Sequence, residues 1–461
     1  DIFTLLSSCA ARQLEEITFR RGVVKGCGSM ALSTDKSSKP YVRYLPFVPN
    51  GEVNIPPSKS DVHRAIICAA LTRGKCTIAP VALSNDIKAT IGVIEDMGCT
   101  ASIKDGVLTV DGTNIFKTDN VTLDCGESGS ALRFFIPVAA AGGINATFVG
   151  HGKLPERPIG IFTEALPKAG VKCETEGGLP LKISGRLESG TFEIPGNVSS
   201  QFITGLLLAL PLVEGDSDIV LTSPIESVGY INMTIHTMAQ FGVEIETTDN
   251  GWHIKGGQSY TPHDYTTDGD WSQAAFFMVA GALGGKVTVN GVNRNSAQGD
   301  RKIAELLARF GAKVTQTDTS VTVEKGELNA IDIDASQIPD LVPVLTVCAA
   351  FAKGTTRIYN AERLRIKECD RLTATAKLIN DLGGKVTELP DGLVIEGIDT
   401  LKGGFCEGFN DHRIVMSAGV CAVRLNGEIE SSYALSINKS YPDFYIDYNN
   451  IGGKANVLDL R

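Results

Sequence analysis

The chain has 461 residues, of which 43% are hydrophobic and 21% are charged, which is typical of a globular protein too long for one ordinary core. Its formal net charge of -10 argues against a general nucleic-acid binder, because such proteins usually carry a basic surface. No apolar run approaches the roughly 18 residues of a membrane span, and 11 cysteines without a C-x-x-C pair favour free thiols in a reducing compartment, which predicts a cytoplasmic location.

The first 41 residues differ from the rest of the chain. They show no clear hydrophobic period and end in a linker rich in Ser, Lys and Pro. They lack the apolar core of a signal peptide, and their acidic residues are unusual for a transit peptide. We therefore predict that residues 1–41 are an extra segment outside the fold, with Met30 as a candidate start.

A repeated pattern begins after this segment and consists of a helix end, a glycine turn and a short hairpin. The turn glycines recur every 69 to 72 residues, at Gly98, Gly170, Gly242, Gly311, Gly383 and Gly452. Apolar run lengths and Gly/Pro punctuation predict that each unit reads strand, helix, strand, helix and hairpin. The sixth copy lacks its last strand, and we expect the strand "EVNI" at residues 52–55 to complete it.

Six units predict an α/β fold of two domains with three units each. The predicted domains are residues 58–268 and residues 42–57 plus 269–461. The first helix of each unit is nearly apolar all round, as in "FITGLLLALPLV", which indicates burial in a domain core. The second helix is amphipathic, as in "DRKIAELLARFG", and should cover a surface.

Cations and hydroxyls gather where these helices begin. The openings include "PPSKSDVHR", "GESGSALR", "GNVSSQF", "GDWSQAA", "SQIPDLV", "FNDHRIV" and "LRIKECDR". Their cations and those of neighbouring openings are Lys59, Arg64, Arg133, Arg157, Lys367, Arg371, Arg413 and Lys439. A single serine at a helix start is more often an N-cap than a ligand-binding group. Because a helix N-terminus is already positive, so many cations indicate a site for a multiply charged phosphate or carboxylate ligand.

A few acids and bases stand among these cations. Asp340 and Glu368 have a plain interpretation as salt-bridge partners, yet a carboxylate inside an anion site also suits general acid or base catalysis. Asp411 and Arg413 flank His412 at a helix start, which favours function for this histidine. The sequence holds no metal-ligand cluster, so we expect no metal, and the missing P-loop and G-x-G-x-x-G leave nucleotide and dinucleotide binding without support.

From about residue 43 onward the chain resembles the 5-enolpyruvylshikimate-3-phosphate synthases, an enolpyruvyl transferase family. The motifs that carry the resemblance are "PPSKSDVHRA", "GESGSALR", "ERPIG", "SSQFITGLLLALP", "RIKECDRL", "NDHRIVM" and "KSYPDF". The resemblance implies a two-domain inverse α/β barrel, with three βαβαββ units per domain about a pseudo-threefold axis and the active site between the domains. It implies transfer of the enolpyruvyl group of phosphoenolpyruvate to the 5-hydroxyl of shikimate 3-phosphate, with release of phosphate and without a cofactor. This reaction belongs to the shikimate pathway to chorismate and the aromatic amino acids. The herbicide glyphosate occupies the phosphoenolpyruvate pocket in this family.

The same resemblance implies a role for each matching residue. The catalytic residues would be Asp340, Glu368, Lys59 and His412, with Asp340 as the base for the attacking hydroxyl. Shikimate 3-phosphate would be bound by Ser60, Arg64, Ser199, Ser200, Gln201, Ser227, Tyr230, Asp340 and Lys367. Phosphoenolpyruvate would be bound by Lys59, Gly129, Arg157, Gln201, Arg371, Arg413 and Lys439. The partners would be these two small molecules alone, without nucleic acid or membrane, and we expect a monomer.

Two departures from the commoner family pattern concern the site. Glu127 and Ser128 stand where many relatives have Asn-Ala, and two extra residues separate Asn360 from Lys367, so that Arg363 occupies the spacing of Asn360. Two alternatives stay open at this point. A UDP-N-acetylglucosamine enolpyruvyl transferase shares the fold but has a reactive cysteine on the loop here reading "HGKLPERPIG", and a non-catalytic anion-binding relative would not need Lys59, Asp340 and Glu368.

Overall fold

The structure is a computed structural model and describes residues 40–458, which form six four-stranded sheets. We number the strands β1 to β24 in chain order. In spatial order the first three sheets are β14 (Tyr265–Thr266), β3 (Lys75–Ala79), β5 (Val107–Asp111), β4 (Thr100–Lys104); β6 (Val121–Asp124), β7 (Ala146–Val149), β9 (Leu181–Gly185), β8 (Val171–Glu174); and β10 (Thr191–Ile194), β11 (Ser217–Leu221), β13 (Gly251–Ile254), β12 (Glu246–Thr248).

The other three sheets come from the second half of the chain and from its first strands. They are β2 (Asn50–Asn54), β15 (Lys286–Asn290), β17 (Ser320–Glu324), β16 (Lys313–Gln316); β18 (Ile333–Asp334), β19 (Thr355–Tyr359), β21 (Gly392–Glu396), β20 (Lys385–Leu389); and β22 (Gly404–Cys406), β23 (Ile429–Ser431), β1 (Tyr41–Tyr44), β24 (Ala455–Leu458). In every sheet one parallel pair is followed by two antiparallel pairs. The shared pattern confirms the predicted repeat.

Two helices accompany each sheet. The buried helices are α1 (Lys59–Leu71), α3 (Gly129–Gly142), α5 (Ser200–Ala209), α7 (Trp271–Gly284), α9 (Val342–Ala349) and α11 (His412–Cys421). The outer helices are α2 (Asn85–Asp96), α4 (Gly160–Ala165), α6 (Val228–Gln240), α8 (Ile303–Phe310), α10 (Arg371–Asp381) and α12 (Phe444–Asn450). In α7 every residue except the last is buried, because its side chains are apolar on all sides.

The glycine turns are where the sequence placed them. Gly98, Gly170, Gly242, Gly311, Gly383 and Gly452 all follow a helix, and each has φ between +80° and +112°. Glycine adopts this left-handed conformation without the steric cost that a Cβ would bring. The turn therefore reverses the chain into the hairpin of each unit.

The prediction for the strand "EVNI" was wrong. Its residues lie mostly in β2, which pairs in parallel with β15 of the fourth sheet. The sixth sheet is completed instead by β1, which pairs with β23 and β24 through Val42↔Ser431 and Tyr44↔Ala455. The sequence analysis missed β1 because "YVRY" is short and adjoins the linker.

The position of β1 also corrects the boundary drawn at residue 41. Tyr41 pairs with Leu458, and the carbonyl of Pro40 accepts a hydrogen bond from the backbone N–H of Ala434. Residues 40 and 41 therefore belong to the fold. The rest of the predicted extra segment, residues 1–39, lies outside the described residues.

Buried apolar side chains form two separate clusters. One runs from Val62 to Tyr265 and contains α1, α3 and α5. The other contains α7, α9 and α11 together with Val42–Ile55 of the N-terminal strands. The chain is therefore a two-domain α/β protein in which each core is built around three buried helices. Among residues 40–458, no helix has the length and apolar character needed to cross a membrane, and the nine cysteines are free thiols.

Candidate active site

Helix starts from both cores face one cleft, with about 820 Å³ of empty space. Every residue to which the family resemblance gave a role lines this cleft except Lys439, while Arg133, one of the eight cations at the helix openings, is not in its wall. The predicted residues in its wall are Lys59, Ser60, Arg64, Gly129, Arg157, Ser199, Ser200, Gln201, Ser227, Tyr230, Asp340, Lys367, Glu368, Arg371, His412 and Arg413. Residues far apart in sequence meet here because each unit of the repeat directs a helix N-terminus towards the cleft.

Arg64 is held from three sides on the wall built by the first core. Its guanidinium donates to the hydroxyl of Thr234 at 2.7 Å, to the carbonyl of Ser60 at 2.6 Å and to the carbonyl of Tyr230 at 3.0 Å. Burial is the main reason that the pKa of Arg64 falls to about 10. Within residues 40–458 the charge therefore has backbone and hydroxyl partners and no carboxylate within salt-bridge distance, which leaves it available to an anion.

The serines of this wall differ from one another. Ser199 caps α5, since its hydroxyl accepts from the N–H of Gln201 at 3.3 Å. Ser200 follows it at the first position of the helix, and Ser227 precedes α6 in the left-handed conformation, φ +55°, without a capping bond from its side chain. The capping interpretation thus accounts for Ser199 and leaves Ser200 and Ser227 unexplained by helix structure.

Asp340 joins the two walls. Its carboxylate accepts from Arg371 at 2.9 Å, from Arg413 at 3.1 Å and from the phenol of Tyr230, on the opposite wall, at 3.0 Å. The ammonium of Lys367 lies 3.8 Å away. Burial alone would raise the pKa of Asp340, but Arg413, Lys367 and Arg371 hold it well below the usual range. Burial lowers the pKa of Lys367 to about 8.

Glu368 and His412 form a second titratable group beside Asp340. Glu368 lies 2.7 Å from Arg371 and 4.0 Å from Arg157, and although burial opposes ionisation, these cations keep its pKa well below the usual range. His412 is 1% exposed, and neither ring nitrogen has a hydrogen-bond partner in the part of the chain that the structure describes. Burial, followed by the charges of Lys59 and Arg413, lowers the pKa of His412 well below its usual value. The imidazole is therefore neutral and has a free donor and a free acceptor.

Lys59 is fixed at both ends. Its backbone N–H donates to Asp270 at 3.1 Å, and its ammonium lies 2.7 Å from a carboxylate oxygen of Asp86. Asp86 stands at the start of α2, and Asp270 caps α7 of the other core. Lys59 is thus placed by residues from both halves of the chain.

Most cations of the cleft face a carboxylate, which the sequence analysis did not anticipate. Lys59 faces Asp86, Arg371 faces Asp411 at 2.7 Å, and Arg363 faces Glu226 at 2.9 Å. These carboxylates therefore offset most of the repulsion that the cations of the cleft would otherwise exert on one another. Lys439 follows the same rule outside the cleft wall, where its ammonium binds Glu127 at 2.8 Å and the carbonyl of Asn410 at 2.7 Å.

Six residues of the wall had been assigned no ligand, namely Asp86, Ser130, Phe134, Asp270, Ser272 and Gln273, and Arg363, which occupies the spacing of Asn360, lines the wall as well. Five of these six residues lie at a helix opening, the feature that drew attention to the other site residues. Asp86 lies at the opening "SNDIKAT" of an outer helix, and Asp270 lies in the opening "GDWSQAA". Ser272 and Gln273 lie in the same opening as Asp270, and Ser130 lies in "GESGSALR". Phe134 lies beyond that opening, where an aromatic side chain is usual in a core.

Comparison with known proteins is consistent with this geometry. Residues 49–447 match the family described as EPSP synthase (3-phosphoshikimate 1-carboxyvinyltransferase). A 3-phosphoshikimate 1-carboxyvinyltransferase of Clostridium novyi is 44% identical over 423 residues, which cover 89% of this chain and 97% of that protein. One of Clostridium acetobutylicum is 44% identical over 91% of this chain and 99% of its own. A solved EPSP synthase structure from Acinetobacter baumannii superposes with a TM-score of 0.78 at 25% identity, covering 91% of this chain and 100% of that chain.

Proposed function

The chain belongs to the EPSP synthase family, and from this membership we propose how its cleft carries out the family reaction. The reaction transfers the enolpyruvyl group of phosphoenolpyruvate to the 5-hydroxyl of shikimate 3-phosphate and releases phosphate, in the shikimate pathway. The observation that carries the proposed mechanism is the position of Asp340. Its side chain is 16% exposed, and its carboxylate lies among three cations and accepts a hydrogen bond from Tyr230 on the opposite wall.

Shikimate 3-phosphate binds, in this proposal, against the wall of the first core. Ser199, Ser200 and Ser227 hold its phosphate, with Tyr230 beside them. The N-terminus of α5 adds backbone N–H groups and a positive potential, which suit a phosphate. Further residues reach the ring and its carboxylate, namely Ser60, Arg64, Gln201 and Lys367.

Phosphoenolpyruvate binds where the cations of both halves are closest. Arg371 and Arg413 come from the second core and Arg157 from the first, and all three side chains are at most 8% exposed. Lys59, Gly129, Gln201 and Lys439 complete the proposed set. Two or more guanidinium groups can each bind a carboxylate or a phosphate through paired N–H groups, which orients the ligand as well as attracting it.

The proposed mechanism has an addition step and an elimination step. Asp340 removes the proton of the 5-hydroxyl, whose oxygen adds to the central carbon of phosphoenolpyruvate while a proton adds to the methylene carbon. A proton then leaves the resulting methyl group as phosphate departs, which restores the enol double bond. Glu368 and Lys59 are the proposed groups for these transfers, and the neutral His412 assists them.

Substrate binding itself makes Asp340 a better base in this proposal. In the unliganded protein Arg413, Lys367 and Arg371 hold its pKa well below the usual range. Bound phosphate and carboxylate groups share these cations and supply negative charge of their own, and both effects raise the pKa of a neighbouring carboxyl. The base is therefore activated only when both anions are in place.

Three broader statements stay proposals. The division between a domain of residues 58–268 and a second domain of residues 269–461 plus the N-terminal strands, now including residues 40 and 41, is supported by the two core clusters, whose members change between Tyr265 and Trp271. A cytoplasmic location is supported by the free thiols of residues 40–458. A monomeric state is supported by a cleft whose two walls come from one chain.

A phosphate-release assay tests the proposed function. Release should require both phosphoenolpyruvate and shikimate 3-phosphate, and mass spectrometry should find the enolpyruvyl ether of shikimate 3-phosphate. Replacing shikimate 3-phosphate by UDP-N-acetylglucosamine should abolish release. Turnover with the nucleotide sugar, or no turnover with either acceptor, would contradict the proposal.

A further inference from the structure

Glu127 joins the two halves of the chain next to the active site. Its Oε2 atom accepts from the ammonium of Lys439 at 2.8 Å and from the side-chain amide of Asn410 at 3.1 Å. Its Oε1 atom lies 3.8 Å from His151 Nδ1. The side chain of Lys439 is only 7% exposed and that of Glu127 is 23% exposed, so water screens this ion pair less than it screens a surface pair.

The pair adjoins the cleft without lining it. Glu127 precedes Gly129 by two residues, and Asn410 precedes His412 by two residues, while Gly129 and His412 are both in the cleft wall. The carboxylate is also confined, because Gly152 packs so closely that a Cβ there would collide with Glu127 Oε2. Lys439 already uses two of its three donors, on Glu127 and on the carbonyl of Asn410.

We propose that Glu127 is a specificity-determining residue that competes with phosphoenolpyruvate for Lys439. This inference rests on the proposed function, which assigns Lys439 to phosphoenolpyruvate. In the unliganded enzyme the carboxylate cancels the charge of Lys439, so this cation adds little to the attraction of the cleft. The incoming anion takes the place of the carboxylate, and the enzyme binds phosphoenolpyruvate more weakly than the same cleft would with a neutral residue at 127.

The size of the effect follows from the strength of the pair. When only a fraction of the protein molecules is in the state that binds a ligand, the apparent affinity for that ligand is reduced by the same fraction. If the ion pair is worth about 1 kcal/mol, the upper part of the range for exposed pairs, Lys439 is free in roughly one-fifth of the molecules. Removing the charge at 127 should therefore lower the KM for phosphoenolpyruvate about fivefold.

The test compares Glu127→Gln with the parent in steady-state kinetics. Glutamine keeps the length and an oxygen acceptor for Lys439 but removes the charge. We expect the KM for phosphoenolpyruvate to fall about fivefold, product inhibition by inorganic phosphate to strengthen in parallel, and the KM for shikimate 3-phosphate to stay within twofold of the parent. Glu127→Asn, with a shorter neutral side chain, should act in the same direction and covers the case in which glutamine does not fit beside Gly152.

Two further variants locate the effect. Glu156→Gln is the matched control, because Glu156 makes an exposed ion pair with Lys153 at 2.9 Å and should change neither KM. In a Lys439→Gln background, Glu127→Gln should no longer lower the KM for phosphoenolpyruvate, since the two residues act as one unit.

Three results would overturn the inference: an unchanged or raised KM for phosphoenolpyruvate, a parallel change of both KM values, or a persisting effect without Lys439. A parallel rise would show that the pair only holds the two halves together. Absence of turnover in the parent enzyme would instead contradict the proposed function, so the two failures are distinguishable.

Discussion

Replacing Gly129 by alanine should push Arg157 out of its place. Gly129 is the buried first residue of α3, and a Cβ there would lie 2.6 Å from Arg157 Nη1 and 2.8 Å from Cζ. Ordinary contacts begin near 3.4 Å, so the guanidinium must retreat by about 0.8 Å. The Nε atom of Arg157 has no hydrogen-bond partner, so the side chain is freer to move than the backbone of α3.

This shift should weaken binding at the phosphoenolpyruvate side of the cleft. A hydrogen bond to a charged group contributes about 1.5–3 kcal/mol, and losing about half of one raises the KM for phosphoenolpyruvate on the order of tenfold. Glyphosate is longer than phosphoenolpyruvate and should suffer more from the added methyl group. We therefore expect the parent to be inhibited competitively with phosphoenolpyruvate, and the variant to be much less sensitive.

The assay is steady-state phosphate release with varied phosphoenolpyruvate at several glyphosate concentrations. Gly92→Ala is the matched control, because Gly92 lies within α2 and a Cβ there would meet nothing within 4 Å. The control should leave both constants unchanged. If Gly129→Ala leaves the KM and the inhibition constant within twofold of the parent, Arg157 does not bind phosphoenolpyruvate in the way proposed.

Three other predictions concern catalysis, pH and folding. Asp340→Asn should reduce turnover by roughly 10²–10⁴, as loss of a general base does, while calorimetry should still detect shikimate 3-phosphate binding; wild-type turnover would assign the base elsewhere. Lys367 has a pKa of about 8 and is neutral above that pH, so kcat/KM for shikimate 3-phosphate should fall as pH rises through about 8. Lys367→Arg should remove that fall, and identical pH profiles for parent and variant would show that Lys367 is not the titrating group. A chain beginning at Met30 should unfold cooperatively and turn over normally, whereas removal of residues 1–45 takes away β1 and should lower the melting temperature in calorimetry; equal temperatures for both chains would contradict the role given to β1.

The repeat was predictable because it depends on local physics. A turn that requires positive φ after a helix selects glycine, which is visible in the sequence, and six such glycines at regular spacing defined the units. The helix openings were predictable for a similar reason, since cations at a positive helix end are unusual and draw attention. The cations at the helix openings indicated an anion site in general, whereas the role of each residue came from the family resemblance; all residues with such a role except Lys439 line the cleft wall.

The remaining features depend on contacts that a single sequence does not show. Two strands compete for the sixth sheet, and local propensity cannot decide between "EVNI" and "YVRY", because the pairing partner lies at the other end of the chain. Carboxylates facing the cations were also hidden. Asp86 and Glu127 meet Lys59 and Lys439 only after the chain folds.

The place of β1 has a consequence for how the protein is made. Tyr44 lies opposite Ala455, about 410 residues later in the chain, so the sixth sheet cannot close until residues 455–458 have been synthesised. The core from Val62 to Tyr265 needs no later residue and can assemble while the ribosome is still translating the second half. Until β24 arrives, β1 and its neighbours expose unpaired strand edges, which makes this interval the one in which the nascent chain most needs protection from aggregation.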